Sequence, residues 1–394
     1  MKILIINSGS SSIKFQLMDM PSEKLICSGL VERIGYKNAT INYKANGENL
    51  EQTHNIESHK QGLKRVVELL LDPEIGVITH TNEIEVVGHR VVHGGNSFSD
   101  TTLITSEVKE KIQEYAALAP LHNPGNLEGI LVAEEIFPLA KQVVVFDTAF
   151  HQTIPAKAKR YAIPTSLYEE HGIQVYGFHG TSHQYVSEKA IAYLGKENSK
   201  IITIHLGNGC SMTAVLDGKS IDHSLGFTPS NGLIMGTRSG DIDHAIIFHL
   251  VNNLDYTLDD VKTLLTNQSG MLGLTGHMDL RDIQVEAENG NKDCQLALTM
   301  NAYRIKKYIG SYAAAMNGLD AIVFTAGIGE NSSVIRQLVC EDLEVFGIHL
   351  DNTKNEKRSG DLREINADAS KVKILVIPTN EELEIAKQAF ELVN

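Results

Sequence analysis

Seven polar residues stand out by where they fall: Asn7, Lys14, Arg90, Asp147, His179, Arg238 and Glu381 lie at the ends of apolar, β-branched runs or inside glycine-punctuated loops. In open α/β sheets ligands bind beyond the carboxyl ends of strands, so charge at those ends marks a candidate site. Two glycine turns lie among these residues. Ile202-Thr203-Ile204-His205-Leu206-Gly207-Asn208-Gly209-Cys210-Ser211-Met212-Thr213-Ala214-Val215 reads as strand, tight turn, strand. Glycines at such a tip leave main-chain N–H groups uncovered, a row of donors suited to phosphate oxygens. Ile3 to Leu17 repeats the pattern, with Asn7-Ser8-Gly9-Ser10-Ser11 as its turn. Two like hairpins about two hundred residues apart suggest a duplicated domain whose halves could hold one nucleotide between them.

Each residue also has an ordinary reading. An arginine in a strand is commonly half of a structural ion pair, and Asp147 could be no more than a helix cap or turn residue. His179 and His183, like His89 and His93, are four apart, a spacing that could suggest metal ligands. There is no HExxH, and the glycines around His179 and His183 read as loop rather than helix, so zinc is not expected.

The elements that must position these residues follow from periodicity. Helices are predicted over 59–71, over 106–118, over 124–137 with Asn123 as cap and Pro124 in the first turn, from a Ser182 cap to Leu194, and over 242–251, 258–266, 283–288 and 294–316. Gly35 to Glu57 reads as a polar meander with strand-like fragments. Buried-strand patterns end in Arg90, in Asp147, in the Gly327-Ile328-Gly329-Glu330-Asn331 turn and in Pro378-Thr379-Asn380-Glu381. The turn at 327–331 reads as a helix start suited to a nucleotide.

A chain of 394 residues with 42% hydrophobic and 21% charged residues is long enough for two or three domains with full cores. The net charge of −14 argues against nucleic acid and anionic membranes as partners. It repels ATP too, but screening beyond about 8 Å lets local Arg, Lys and metal capture an anion. The four cysteines have no paired spacing, as expected of reduced thiols. Neither a signal core nor a run long enough to span a bilayer is legible, and the expectation is a cytoplasmic protein.

Nine spaced motifs, in order along nearly the whole chain, resemble acetate kinases of the acetate and sugar kinase, heat-shock and actin superfamily. They are Asn7 to Phe15, His89 to Gly95, Leu121-His122-Asn123-Pro124, Phe146 to His151, Gly177 to His183, His205 to Gly209, Gly236 to Asp243, Gly327 to Asn331 and Pro378 to Glu382. The resemblance implies an α/β fold of duplicated ribonuclease-H-like (actin-like ATPase) domains with a nucleotide cleft between them: 1–150, and 151–381 carrying most of the nucleotide site, with the helix 382–394 packing back on the first. It implies reversible transfer of the ATP γ-phosphoryl group to acetate, giving acetyl phosphate and ADP by direct in-line transfer, in a homodimer that uses Mg²⁺ or, as a substitute, Mn²⁺.

By the same resemblance Asn7 and Glu381 lie at the metal. Lys14 and His205-Leu206-Gly207-Asn208-Gly209 contact phosphates. Asp279-Leu280-Arg281 and Gly327-Ile328-Gly329-Glu330-Asn331 hold the rest of the nucleotide. Arg90 and Arg238 clamp carboxylate and phosphoryl, His179 stabilises the transition state, and Val92, Leu121, Phe178 and Pro229 form the acetate pocket. Asp147 is the family's usual proton donor or acceptor. A substrate carboxylate with a pKa of about 4 is already ionised at neutral pH and needs no base, so Asp147 is expected instead to orient water, Mg²⁺ or an arginine.

Propionate kinases, close relatives, typically carry a smaller residue at Val92, and a misfit of one methylene is worth about 1–3 kcal/mol. Preference for acetate is therefore expected, with propionate or butyrate as the alternative substrate. The family pattern is broken at Ser230-Asn231, where Leu-Glu is common, and at His244, where Pro is common; both flank Arg238.

Overall fold

The computed structural model describes residues 1–9, 11–120 and 122–394. The chain divides into two compact units, Met1–Phe150 with Asn380–Asn394, and His151–Thr379.

The first unit is built on eight strands: β1 (Lys2–Ser8), β2 (Ser12–Asp19), β3 (Lys24–Glu32), β4 (Ala39–Ala45), β5 (Glu48–His54), β6 (Ile84–Val91), β7 (Thr102–Leu103) and β8 (Lys141–Phe146). Their order is β5-β4-β3-β2-β1-β6-β8-β7, with β1, β6 and β8 parallel. Ile3 to Ile6 of β1 are buried on both faces, which is why the strand reads as an unbroken apolar run. The C-terminal helix Glu381–Val393 lies across it, and Gly88 of β6 is bare because a Cβ there would meet Ile5 and Ile385 at 2.9 and 3.0 Å. Gly35 to Glu57 is more regular than the sequence suggested. Asn46 and Gly47, both at positive φ (54° and 83°), close β4 onto β5 as a two-residue hairpin.

The second unit has β9 (Lys200–Leu206), β10 (Cys210–Leu216), β11 (Lys219–His223), β12 (Ala321–Thr325), β13 (Arg363–Glu364) and β14 (Lys373–Val376). They are ordered β11-β10-β9-β12-β14-β13, with β9, β12 and β14 parallel. The central five strands repeat the pattern β3-β2-β1-β6-β8 in order and direction, and each set ends in a two-residue antiparallel strand. The 25-residue helix Lys292–Met316 packs on β9 and β10, and Ile305, Ile309 and Ala313 are among its buried residues.

Several predicted helix starts are corrected, among them that of Leu280–Glu288, which begins three residues before the predicted Ile283 because Asp279 caps it. The helix over Asn123–Ile136 is capped at His122, because the Asn123 amide bonds to His93 and Ile112 instead. The helix Gly180–Leu194 begins at His179, so Ser182 and His183 are helical and not in a loop. Ala245–Asn253 starts three residues late. The strand β12 runs straight into the helix Ala326–Asn331, whose turn is made by Ala326 (φ 63°) and not by Gly327.

Candidate functional site

In the first unit four predicted residues converge. Asn7 stands at the end of β1, Arg90 at the end of β6, Asp147 directly after β8 and Glu381 at the first position of the C-terminal helix. Arg90 forks onto the buried Asp147, with Nε 2.9 Å from Oδ1 and the Nη2 amine 2.5 Å from Oδ2. Its other amine donates to Asn7 Oδ1 at 3.4 Å, and Glu381 Oε2 is 3.8 Å from Nε.

Burial opposes the charge of Arg90, yet Asp147 and Glu381 more than compensate and hold the guanidinium above its ordinary value. Burial raises the Asp147 carboxyl against the pull of Arg90. A bidentate fork of this kind fixes the plane of an arginine as well as its charge. Lys14, predicted to reach phosphates, has its Nζ 2.7 Å from the buried Glu382. Val92 is buried at 6% exposure, its N–H donating to Asn126 Oδ1 at 3.2 Å. Leu121 lies outside the described residues.

The second unit gathers His151, His179, His183, His205 and His223 along the sheet face formed by β9 and β10. His179, in the left-handed region at φ 57°, stacks on His205 at 4.4 Å. Its Nδ1 is 2.8 Å from Ser211 Oγ, and His205 Nδ1 is 2.8 Å from Ser182 Oγ. The peptide of Phe178 is clamped by two rings: its N–H donates to His223 Nε2 at 3.1 Å, and its carbonyl accepts from His151 Nε2 at 3.0 Å. Gly177 (φ 75°) permits this, since a Cβ there would meet the His151 ring at 2.6 Å. Burial pushes His151 down to about 4 and His183 and His223 well below their ordinary value, so these rings are neutral. Their nitrogens are engaged by hydroxyls and backbone, an arrangement of oriented donors rather than of metal ligands.

Beside this face stands Arg238. It donates to the Pro229 carbonyl at 2.8 Å, and burial lowers its pKa from the ordinary value with no carboxylate among the described residues to offset it. A half-buried guanidinium in that condition is suited to an incoming anion. Gly209 lies next to it: the position a Cβ would take is 3.5 Å from His179 Nε2 and 3.7 Å from the Arg238 amine. The loop around Arg238 is firmly held. Gly232 donates to the Asp241 carboxylate at 2.7 Å, Arg304 donates to the Gly232 carbonyl at 2.9 Å, and Asn231 accepts from Gly226 at 2.7 Å. The unusual Asn231 thus braces the loop, whereas His244 is exposed and makes no capping bond.

A cleft of about 720 Å³ opens on the same unit. Nine of the predicted nucleotide residues line it: Leu206, Gly207, Asn208, Asp279, Leu280, Arg281, Gly327, Ile328 and Asn331. His205, Gly209, Gly329 and Glu330 do not. His205 belongs to the histidine face and Gly209 to the Arg238 corner; the Gly329 carbonyl accepts from Arg336, and the Glu330 carboxylate accepts from the Thr379 N–H. Asp279 caps the helix Leu280–Glu288 and pairs with Arg281, which lowers its carboxyl to about 2.

Met235, Met271, Met278, Gln284, Asn301 and Arg358 are among the other residues that line it. Sequence reasoning missed them because no turn or strand end marks them. Arg336 was missed too: fully buried, it donates to the carbonyls of Gly329 and Glu330 and so secures the end of the short helix at the cleft.

Comparison with known proteins places this geometry. The chain is 65% identical over 393 residues to an acetate kinase of Flavobacterium johnsoniae and 50% identical to one from Clostridium novyi, matching 100% of each chain in the first case, and 100% of this chain with 98% of the relative in the second. Among solved structures it matches the acetate kinase of Porphyromonas gingivalis (TM-score 0.95, 43% identity) and a propionate kinase from Francisella tularensis (TM-score 0.94, 43% identity), each over 100% of both chains. The fold is that of a two-domain actin-like ATPase. The acetokinase family model matches residues 2–387, and the chain belongs to that family.

Proposed function

We propose that this chain catalyses reversible, Mg²⁺-dependent transfer of the γ-phosphoryl group of ATP to acetate, giving acetyl phosphate and ADP. One observation carries the reading beyond kinship: Arg238 is a half-buried cation with no carboxylate partner among the described residues, set beside a bare glycine turn and the Nε2 edge of His179. Phosphoryl transfer needs positioning and neutralisation of charge on the equatorial oxygens rather than covalent chemistry from the protein. In the forward reaction an acetate oxygen forms a bond to the γ-phosphorus as the bond to the β,γ-bridging oxygen breaks, and ADP leaves with that electron pair.

Arg238 and His179 meet the transferring oxygens, and Arg90, its plane set by Asp147, receives the acetate carboxylate. The cleft lined by Asp279, Leu280, Arg281, Gly327, Ile328 and Asn331 takes the nucleoside. Asn7 and Glu381 offer a hard cation an amide oxygen and a carboxylate. No cluster of three or more His, Cys, Asp or Glu among the described residues could hold a metal unaided. That donor set fits Mg²⁺, which is commonly held by one or two carboxylates together with substrate phosphates; when bound it offsets phosphate charge. Lys14, held by Glu382, and the Gly207-Asn208-Gly209 turn serve the phosphates.

Acetate is preferred over propionate because Val92, buried in the first unit, carries methyl groups that a smaller residue would not set against a longer acyl chain. The backbone does not separate the two, since solved acetate and propionate kinases match it equally. The reading extends to a cytoplasmic homodimer; its association is supported by the apolar helix Ala245–Asn253, which buries none of its residues within the chain and leaves Ile246 and Phe248 exposed. No helix among the described residues is long and apolar enough to cross a membrane.

Incubation with ATP, Mg²⁺ and acetate, propionate or butyrate, trapping acyl phosphate with hydroxylamine, tests the assignment. The highest kcat/KM is expected for acetate. Absence of acyl phosphate with all three acids overturns it.

A further inference from the structure

Behind His179 the second unit holds alternating imidazoles and hydroxyls. Strand pairing sets Ser211 opposite His205 and Thr213 opposite Thr203, and His183 lies one helical turn beyond His179. Ser211 Oγ is 2.8 Å from His179 Nδ1 and 2.7 Å from His183 Nε2, while His183 Nδ1 is 2.7 Å from Thr203 Oγ1. Ser211, His183 and Thr203 are fully buried.

A serine hydroxyl carries one hydrogen. Ser211 can donate to only one of the two ring nitrogens facing it and must accept from the other, so the tautomers of His179 and His183 are interlocked. Two polarities satisfy that junction. In one, Thr203 donates to His183 Nδ1, His183 Nε2–H donates to Ser211, and Ser211 donates to His179 Nδ1. Every hydrogen between Thr203 and His179 Nδ1 then has an acceptor, and neutral His179 carries its own hydrogen on Nε2, on a ring that is only partly buried. In the other, each bond reverses, and the Thr203 hydroxyl hydrogen is left without an acceptor among the described residues, in a fully buried place where that is costly. The first polarity is favoured. It aims an N–H from the edge of His179 that lies beside Gly209 and Arg238.

We propose that Ser211, His183 and Thr203 are positioning residues that hold His179 as its neutral Nε2–H tautomer, so that a transferring phosphoryl oxygen meets a hydrogen-bond donor without the ring being charged. This rests on the kinase reading for what His179 faces, but the tautomer itself does not. The burial that keeps His183 neutral is consistent with it.

Nitrogen NMR of the full-length, ¹⁵N-histidine-labelled protein, with His179→Gln to assign the signal, reads the tautomer directly. The native spectrum should show a bare Nδ1 and a protonated Nε2 for His179. Ser211→Ala should mix the two tautomers and lower kcat roughly tenfold to a hundredfold, with KM for ATP and acetate within about twofold. Ser211→Thr should restore both readouts. His183→Gln, whose amide still donates to Ser211, should keep the His179 tautomer, and it carries the test if Ser211→Ala fails to fold. A native Nδ1–H tautomer, or a Ser211→Ala protein with unchanged tautomer and kcat, overturns the proposal. Should the native tautomer be as expected while no acetyl phosphate forms, the kinase reading fails and the interlock stands.

Discussion

Asp147→Asn separates two views of this carboxylate. Asparagine keeps an oxygen to accept from Arg90 Nε, now 2.9 Å away, but turns an amide N–H₂ toward the arginine amine that Asp147 Oδ2 meets at 2.5 Å. One charge-assisted hydrogen bond is lost, worth about 1.5–3 kcal/mol. The guanidinium stays charged, with Glu381 at 3.8 Å and Asn7 at 3.4 Å as competing partners that would tilt its plane. If that loss is felt in the transition state, kcat/KM for acetate falls roughly tenfold to 150-fold, at about 1.4 kcal/mol per decade.

The assay is acetyl phosphate formation at saturating Mg²⁺ across pH. A positioning role lowers the whole profile and leaves its shape unchanged, whereas a proton-transfer role would remove one limb. A variant within about twofold of native activity at every pH would refute both roles, and loss of a single limb would refute the positioning argument.

Arg238→Ala should lower kcat/KM by about 10³-fold or more while shifting Tm little, because it leaves no buried carboxylate unpaired; Arg90→Ala should lower both, since it strands Asp147. Calorimetry of the two variants beside the hydroxylamine assay checks this. Val92→Ala should raise the propionate-to-acetate ratio of kcat/KM by about tenfold, and an unchanged ratio would show that the pocket is set elsewhere. Phe248→Asp should yield monomers by light scattering, and an unaltered dimer would move the interface off the helix Ala245–Asn253. His89, His93 and His151 are each lowered to about 4 from 6.5 by burial. Between those values the unfolded chain binds more protons than the native one, so stability is fully present above about pH 6.5 and is lost as pH falls toward 4. A Tm flat across that window would contradict the neutral assignments.

How much of this was legible in the chain depends on range. Period and composition are local, so strand ends, glycine turns and the doubled hairpin could be read directly, and with them Asn7, Arg90, Asp147 and Arg238 as polar residues in telling places. The duplication shows at the level of strand order, which the two hairpins foreshadowed. Helix starts were misread where a side chain had a stronger distant partner than its own backbone: Asn123 serves His93, and Ser182 serves His205. What only the tertiary structure decided was partnership. No spacing tells that Arg90 is already forked onto Asp147 while Arg238 has no carboxylate partner among the described residues, that methionines from three separate segments line the cleft of the second unit, or that one serine hydroxyl joins His179 to His183. Those facts arise where strands and helices far apart in sequence bring hydrogen-bonding groups within 3 Å of one another, a length scale set by packing and not by pattern.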